Sequence, residues 1–255
     1  MKLGLITALF LINAHLFGQA KVSSIRLNES GSSWLSYSFP FINHPDKKVA
    51  KKINGFLQST ILDNPVIETD SAKIFERSRY LTTDSSTQPG LSMVDYSVEL
   101  NTKKLLSIAF QLEGTGAYSE GSSSYYSFDL RSGNRVTAKN IFTPQGLVQI
   151  KKKLIRERQR LIEKYLEETD STYSDEDLPD SAWIKETFFE CNKRASEENI
   201  FIKRDKIIFY KEYCFPHAAR PLDIDLDITW SAVSVEKYLS AYGRELLLNK
   251  KPAQK

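Results

Sequence analysis

The segment that decides the fold is Tyr125–Phe142, which reads YYSFDLRSGNRVTAKNIF. Its first part alternates apolar and polar side chains as far as Leu130, the period of a strand with one buried face. The RSGN sequence that follows favours a tight turn, because Gly133 readily adopts a positive φ. A final Ile-Phe pair is an apolar anchor in front of Thr143-Pro144, which can cap and open a helix. The segment therefore predicts a strand, a turn, a short second strand and a helix start, and it contains no catalytic motif.

Outward from this segment, the hydrophobic periodicity predicts an α+β fold. Alternating patterns predict strands at about 22–27, 34–41, 94–100, 106–112, 200–202, 207–213 and 222–230. Helical spacing predicts helices at about 44–62, 69–82, 143–168, 181–190 and 234–248. The Gly- and Ser-rich residues 113–124 are predicted to form a loop. This order predicts a mainly antiparallel sheet, made of a meander and hairpins and covered by a few amphipathic helices.

The composition is that of a globular chain with a sizeable core. Of its 255 residues, 41% are hydrophobic and 26% are charged, which argues against wholesale disorder. We expect residues 21–255 to form a single domain, with an N-terminal part at about 21–90 and a C-terminal part at about 91–250. The formal charge of +3 falls to +2 without Lys2, the only charge in residues 1–20. This near-neutral balance gives no case for a nucleic-acid partner.

Residues 1–20 have the pattern of a signal peptide. Lys2 is followed by the apolar run Leu3–Phe17 and then by the small-residue sequence Gly18-Gln19-Ala20. We expect cleavage after Ala20, and an uncleaved anchor is the alternative. No later segment approaches the length that spans a bilayer, so we expect no stable membrane insertion. The protein is therefore predicted to be exported, and to be periplasmic or extracellular.

Export gives a meaning to the two cysteines of the chain, Cys191 and Cys214. In an oxidising compartment two thiols can form one disulfide, and we expect this pair to do so. The alternative is that the two are separate small buried residues.

An acidic stripe is the first candidate binding feature. Asp223, Asp225 and Asp227 alternate with apolar residues, so a continuous strand over 222–230 would place all three carboxylates on one outward face. Such a stripe could dock a basic partner or a cation. The alternative is a solvated strand face whose charges discourage aggregation.

A tyrosine-containing segment at 114–126 is the second candidate. Tyr118 and Tyr125 stand among Gly and Ser residues, a composition typical of adaptable recognition loops. The alternative is an ordinary surface connection between two strands.

Motifs for catalysis, metal binding and cofactors are not found. His44 and His217 are the only histidines after residue 20, and their spacing does not suit a metal site. We therefore predict no catalytic residue, no metal and no cofactor. Two catalytic carboxylates that are distant in sequence form no local motif, so a carboxylate-dependent cell-wall hydrolase is the alternative.

Several short motifs resemble a known family. Tyr126–Leu130, Ser132-Gly133 and Ile141-Phe142 stand in the register of the extracytoplasmic domain of unknown function found in RsiV-type anti-sigma factors and in PdaC-type peptidoglycan deacetylases. The sequence departs from that pattern at Gly114–Tyr118, where the family often has a histidine. It departs again at Cys214–Pro221, where the family has a tyrosine-rich segment.

The resemblance implies an α+β, non-catalytic module of the bacterial cell envelope. In the anti-sigma factors this domain binds lysozyme, and in the deacetylases a separate domain performs the chemistry. We therefore expect an exported binding module for a lysozyme-like protein or a peptidoglycan fragment. A cell-wall hydrolase and a structural envelope protein are the alternatives.

Overall fold

A computed structural model describes residues 19–27, 36–64, 66–78, 90–115, 120–170, 181–194 and 199–248. It confirms the α+β class, with a six-stranded sheet, a three-stranded sheet and several helices. The predicted leader and Tyr118 lie outside the described residues, except for Gln19 and Ala20 at the leader's end. In the described ranges, no helix is both long enough and apolar enough to cross a membrane.

The six-stranded sheet follows chain order from β1 to β6. Its strands are β1 (Lys21–Leu27), β2 (Ser36–Asn43), β3 (Gly90–Asn101), β4 (Leu105–Thr115), β5 (Glu120–Asp129) and β6 (Asn134–Arg135). All neighbours pair antiparallel except β2 and β3, which are parallel. The loop predicted over 113–124 is wrong for its described residues, because β4 and β5 extend into it as a long hairpin.

Five α-helices are present in the described residues, and the apolar stripe of the first packs on the six-stranded sheet. They are α1 (Lys47–Ile61), α2 (Ala138–Ile141), α3 (Pro144–Asp170), α4 (Ser181–Lys193) and α5 (Ala241–Leu248). Thr143 caps α3 as predicted, since its Oγ1 accepts the Gly146 amide at 2.9 Å. The helix predicted over 69–82 appears in the described part as two 3-10 turns. The helix predicted over 234–248 is divided into a 3-10 turn at Glu236–Tyr238 and the helix α5.

Strand β5 is buried on both faces over its last four residues, Tyr126–Asp129, so the prediction of a single buried face is wrong there. Tyr126 and Phe128 pack on Phe56 of α1, with ring centroids 5.2 and 5.5 Å apart. On the opposite face Ser127 and Asp129 are only 1% and 3% exposed. The predicted turn after β5 is confirmed, with Gly133 at a φ of +70°.

A second sheet covers the polar face of β5. Its strands are β7 (Ile200–Lys203), β8 (Lys206–Phe209) and β9 (Ile228–Ser231), all antiparallel. The Ile202 amide of edge strand β7 donates to Ser127 Oγ at 3.0 Å, and Ser127 Oγ lies 2.8 Å from Ser107 Oγ. A buried hydroxyl pair thus links the two sheets.

The strand predicted over 222–230 is wrong for most of its length. Residues 217–222 form a 3-10 helix containing Pro221, and 223–227 have no regular structure. The Asp223 and Asp227 carboxylates accept backbone amides, which competes with a sheet ladder. Only Ile228–Ser231 pairs as a strand.

A disulfide joins Cys191 of α4 to Cys214, as predicted, with the Cα atoms 5.5 Å apart. It lies beside a small apolar cluster that packs α3 and α4 on the segment after β8. The buried members of this cluster are Ile162, Ile184, Phe188, Phe215 and Leu226.

Replacing Cys191 and Cys214 by Ser is expected to lower the free energy of unfolding by about 3 kcal/mol, because the bridge closes a loop with a sequence separation of 23. Urea unfolding of the variant and of the oxidised wild type measures this difference. Under reductant the two proteins should unfold alike. Two titratable thiols in wild-type protein purified without reductant would contradict the bridge.

A buried ion pair ties the end of β5 to the C-terminal helix. Asp129 accepts two bonds from the Arg131 guanidinium, at 2.8 and 2.9 Å, and one from the Tyr242 hydroxyl at 2.9 Å. Arg131 also contacts Glu245 at 2.6 Å. Burial alone would raise the pKa of Asp129, but the bonds from Arg131 and Tyr242 outweigh it and hold that pKa below its ordinary value.

Asp129→Asn is expected to lower the free energy of unfolding by about 2–3 kcal/mol at pH 7, because it leaves Arg131 without its main partner. The lowered pKa means that the carboxylate stabilises the fold above its unfolded pKa, and that this stabilisation is lost as the pH falls through the folded pKa. The difference between variant and wild type should therefore shrink below about pH 4. Urea titrations at several pH values test this, with the more exposed Glu245→Gln as control. A difference independent of pH would contradict it.

Candidate functional site

A cleft lies where the two sheets meet. Its volume is about 210 Å³, and it is lined by residues of β3, β4 and β5 on one side and of the second sheet and its flanking segments on the other. We call it the aromatic cleft; its lining residues are Glu99, Ala109, Tyr125, Phe201, Lys203, Ile208, Tyr210 and Asp227. The space is enough for one ring-sized group and smaller than a drug-sized pocket.

Tyr125 is the central ring of the cleft. Its place in β5 puts it on the same face as Ser127, towards the second sheet. The ring centroid lies 5.2 Å from that of Phe201 and 5.1 Å from that of Tyr210, both in tilted geometry. Burial raises the pKa of Tyr210, so its hydroxyl is neutral at physiological pH. The three rings pack together into a mainly apolar wall of the cleft, to which the two tyrosines add hydroxyl groups.

An ion pair forms a polar side of the cleft. Lys203 Nζ lies 2.6 Å from Glu99 Oε2, and Ser97 donates its hydroxyl to Glu99 Oε1 at 2.7 Å. The bonds from Lys203 and Ser97 hold the pKa of Glu99 below its ordinary value. The pair therefore offers both a hydrogen-bond donor and an ionised acceptor to a ligand.

Asp227 supplies a second carboxylate, in a different environment. Its Oδ1 accepts the Lys211 amide at 2.8 Å, and it stands just before β9. Burial raises the pKa of Asp227, and the nearby Asp225 charge adds to this effect. The same cleft thus holds one acid whose pKa is lowered and one whose pKa is raised.

A buried arginine bonds to backbone carbonyls next to two residues of the cleft, Tyr210 and Asp227. Arg158 of α3 is fully buried and donates to Leu226 O and Phe209 O at 2.9 Å each. Burial lowers the pKa of Arg158, and the charge of Asp227 partly opposes this. The sequence places Arg158 among the Lys and Arg residues of this helix, for which the solvent face is the ordinary expectation, and its burial shows that expectation to be wrong. Its spacing of four residues from Leu154 was the signal, since that position continues the apolar stripe.

The structure brings two of the predicted binding residues together and separates the others. Tyr125 and Asp227 both line the aromatic cleft, although they are far apart in sequence. Asp223 and Asp225 do not line it. Tyr118 lies outside the described residues, so its role stays a prediction. Glu99, Lys203 and Tyr210 were missed, because nothing in their local sequence marks them.

The outward acidic stripe is not present, since its strand is not formed. Asp223 accepts the amides of Cys214 and Phe215 at 3.0–3.1 Å, and Asp227 is tied to Lys211. Asp225 is exposed and accepts only the Asp227 amide at 2.8 Å. The carboxylates shape the local backbone, and whether any of them also contacts a partner stays a prediction.

Asp223→Ala is expected to destabilise the protein by about 1–3 kcal/mol, because two part-buried amides lose their acceptor. Asp225→Ala, at an exposed position of the same segment, is the matched control and should cost less than about 0.5 kcal/mol. Thermal and urea unfolding of both variants give the comparison. Equal stability of the two would show that the Asp223 bonds contribute nothing.

A metal centre is not found within the described ranges, where no group of three or more His, Cys, Asp or Glu side chains could hold an ion. The site is a small cleft lined by aromatic, aliphatic and charged side chains in an α+β domain.

Comparisons with known proteins place this architecture among solved folds. No family model and no curated protein matches the chain. The structure of a DUF3298 family member from Bacteroides fragilis superposes with a TM-score of 0.61 at 16% identity, covering 91% of this chain and 98% of that one. A DUF3298 family protein from Pseudomonas aeruginosa gives a TM-score of 0.48 at 11% identity, with 88% and 94% covered.

The first of these similarities shows a shared fold, and it fits a domain of the DUF3298 type. At this identity it assigns no residue roles. The relation to RsiV-type and PdaC-type proteins stays an expectation from the sequence motifs.

Proposed function

We propose that this chain is an exported, non-catalytic binding domain of the bacterial cell envelope, and that the aromatic cleft holds a sugar unit of a cell-wall glycan. The observation that carries the proposal is the fixed tyrosine wall of the cleft beside ionised and hydroxyl groups. A pyranose ring has apolar C–H faces and a polar rim. An aromatic ring suits the faces, and the rim needs both donors and acceptors.

The dimensions and charges of the cleft support this class of ligand. A volume of about 210 Å³ suits one sugar ring better than a protein segment. Lys203 and the Tyr125 and Tyr210 hydroxyls can donate, while Glu99 can accept. Because Glu99 already neutralises Lys203 and Asp227 adds a second carboxyl group, the cleft does not favour an anionic ligand.

Export is supported by two independent features. A disulfide between Cys191 and Cys214 is typical of proteins outside the cytosol. The first twenty residues have the signal-peptide pattern described above, with Lys2 as their only charge.

Tyr125→Ala is expected to weaken binding of the N-acetylglucosamine trimer of chitin about tenfold, because it removes about 1–1.5 kcal/mol of ring contact. Tyr125→Phe keeps the ring and should bind within a factor of about three of wild type. Isothermal titration calorimetry measures both, and circular dichroism confirms that the variants fold. Wild-type protein that binds no glycan would refute the proposal. Saturable binding of lysozyme in the same assay would instead favour the protein partner implied by the resemblance.

A cell-wall hydrolase is a second candidate, because Glu99 and Asp227 line one cleft and the local environment moves their pKa values in opposite directions. Glycosidases use such a pair, one carboxyl as acid and the other as base or nucleophile. Incubation with purified peptidoglycan separates the candidates: release of soluble fragments that stops in Asp227→Asn supports the hydrolase. Binding without release supports the binding domain.

A further inference from the structure

A second cavity lies beside the disulfide, outside the aromatic cleft. Its volume is about 460 Å³, and we call it the disulfide cavity. It is lined by Trp183, Glu186, Thr187, Glu190, Cys191, Arg194, Lys211, Tyr213 and Cys214. None of these residues belongs to the cleft described above, and no predicted binding residue is among them.

Two exposed aromatic side chains line the disulfide cavity. Among the described residues, Trp183 and Tyr213 are the most exposed Phe, Tyr or Trp side chains, at 39% and 55%. Both line this one cavity, although one lies on α4 and the other follows β8. Exposed aromatic side chains gathered in a concavity are typical of a binding surface, whereas exposed rings scattered singly need no explanation.

Both rings are held in place without a ligand. Trp183 packs edge-to-face on Phe215, with centroids 5.3 Å apart. The Arg220 guanidinium lies 4.2 Å from the Tyr213 ring centroid and pairs with Glu120 of β5. The disulfide ties α4 to the segment that carries Tyr213. A ligand would therefore meet a preorganised surface and would lose little affinity to ordering the protein.

The charges of the cavity select the chemical class of ligand. Glu186 and Glu190 oppose Arg194 and Lys211, so acids and bases balance. Burial lowers the pKa of Lys211 from its ordinary value. A neutral ligand with many hydroxyl groups can use the acids as acceptors and the bases as donors, while its apolar face lies on a ring.

We infer that the disulfide cavity is a second glycan site, in which Trp183 and Tyr213 contact a sugar ring. The inference rests on the proposed function for its ligand class, but it depends on a different set of residues. Segment 210–214 contributes Tyr210 to the aromatic cleft and Tyr213 to this cavity, so the two sites are neighbours along the chain.

The test follows the indole N–H signal of Trp183 by nitrogen-15 NMR while the N-acetylglucosamine trimer is added. Trp183→Phe identifies the signal by its disappearance. We expect a saturable shift in wild type, an unchanged shift in Tyr125→Ala, and an affinity at this site at least tenfold weaker in Tyr213→Ala. Circular dichroism and urea unfolding check that Tyr213→Ala is folded.

The outcomes separate this inference from the proposed function. A stationary Trp183 signal, with glycan binding that still depends on Tyr125, would overturn the second site and leave the aromatic cleft. A shifting Trp183 signal, with binding that is indifferent to Tyr125→Ala, would support the second site and overturn the cleft. Absence of glycan binding in wild type would overturn both.

Discussion

The arrangement of the two sheets depends on a hydrogen bond to the buried hydroxyl of Ser127. This hydroxyl accepts the amide of Ile202, which lies on an edge strand and would otherwise be buried without a partner. An unsatisfied buried amide costs about 1–3 kcal/mol, so the second sheet is held at this position on β5. Tyr125 and Asp129 lie on the same face of β5 as Ser127. Tyr125 contacts Phe201 of the second sheet, and Asp129 accepts a hydrogen bond from Tyr242 of α5. The aromatic cleft exists because this face is covered only in part.

The alternation in Tyr125–Phe142 predicted the strand, the turn and the helix start, and these are present. It could not predict that the polar face is buried. A period of two shows that the faces differ, but not whether the polar one meets water or another sheet. The covering strand comes more than seventy residues later, so local sequence contains no sign of it. The same reason hides Glu99, Lys203 and Tyr210, which are brought together only by the packing of the two sheets.

Two other residues show where sequence reasoning goes wrong for local reasons. Alternation around Asp223 fits a strand, yet short acids next to Pro221 can also bond to nearby amides, and that alternative is the one formed. At Arg158 the residue type favours the solvent face, whereas the position in the helix favours burial. The apolar stripe of α3 passes through this site, and a guanidinium can be buried there because backbone carbonyls accept protons from its Nε and from one of its two terminal nitrogens.

Segment 210–214 contributes to both proposed binding sites. It has no regular structure after β8, yet it supplies side chains to both cavities. Such a segment would ordinarily be mobile, and a mobile ring loses affinity when it is ordered by a ligand. Here Arg158 holds its first carbonyl, Asp227 and Asp223 hold amides along it, and the disulfide holds its end. These hydrogen bonds and the disulfide therefore fix the backbone of the segment, as hydrogen bonds between paired strands fix the backbone of a sheet. Asp223 and Asp227, two of the acids that alternation assigned to an outward face, are among the groups that hold the backbone carrying Tyr210 and Tyr213.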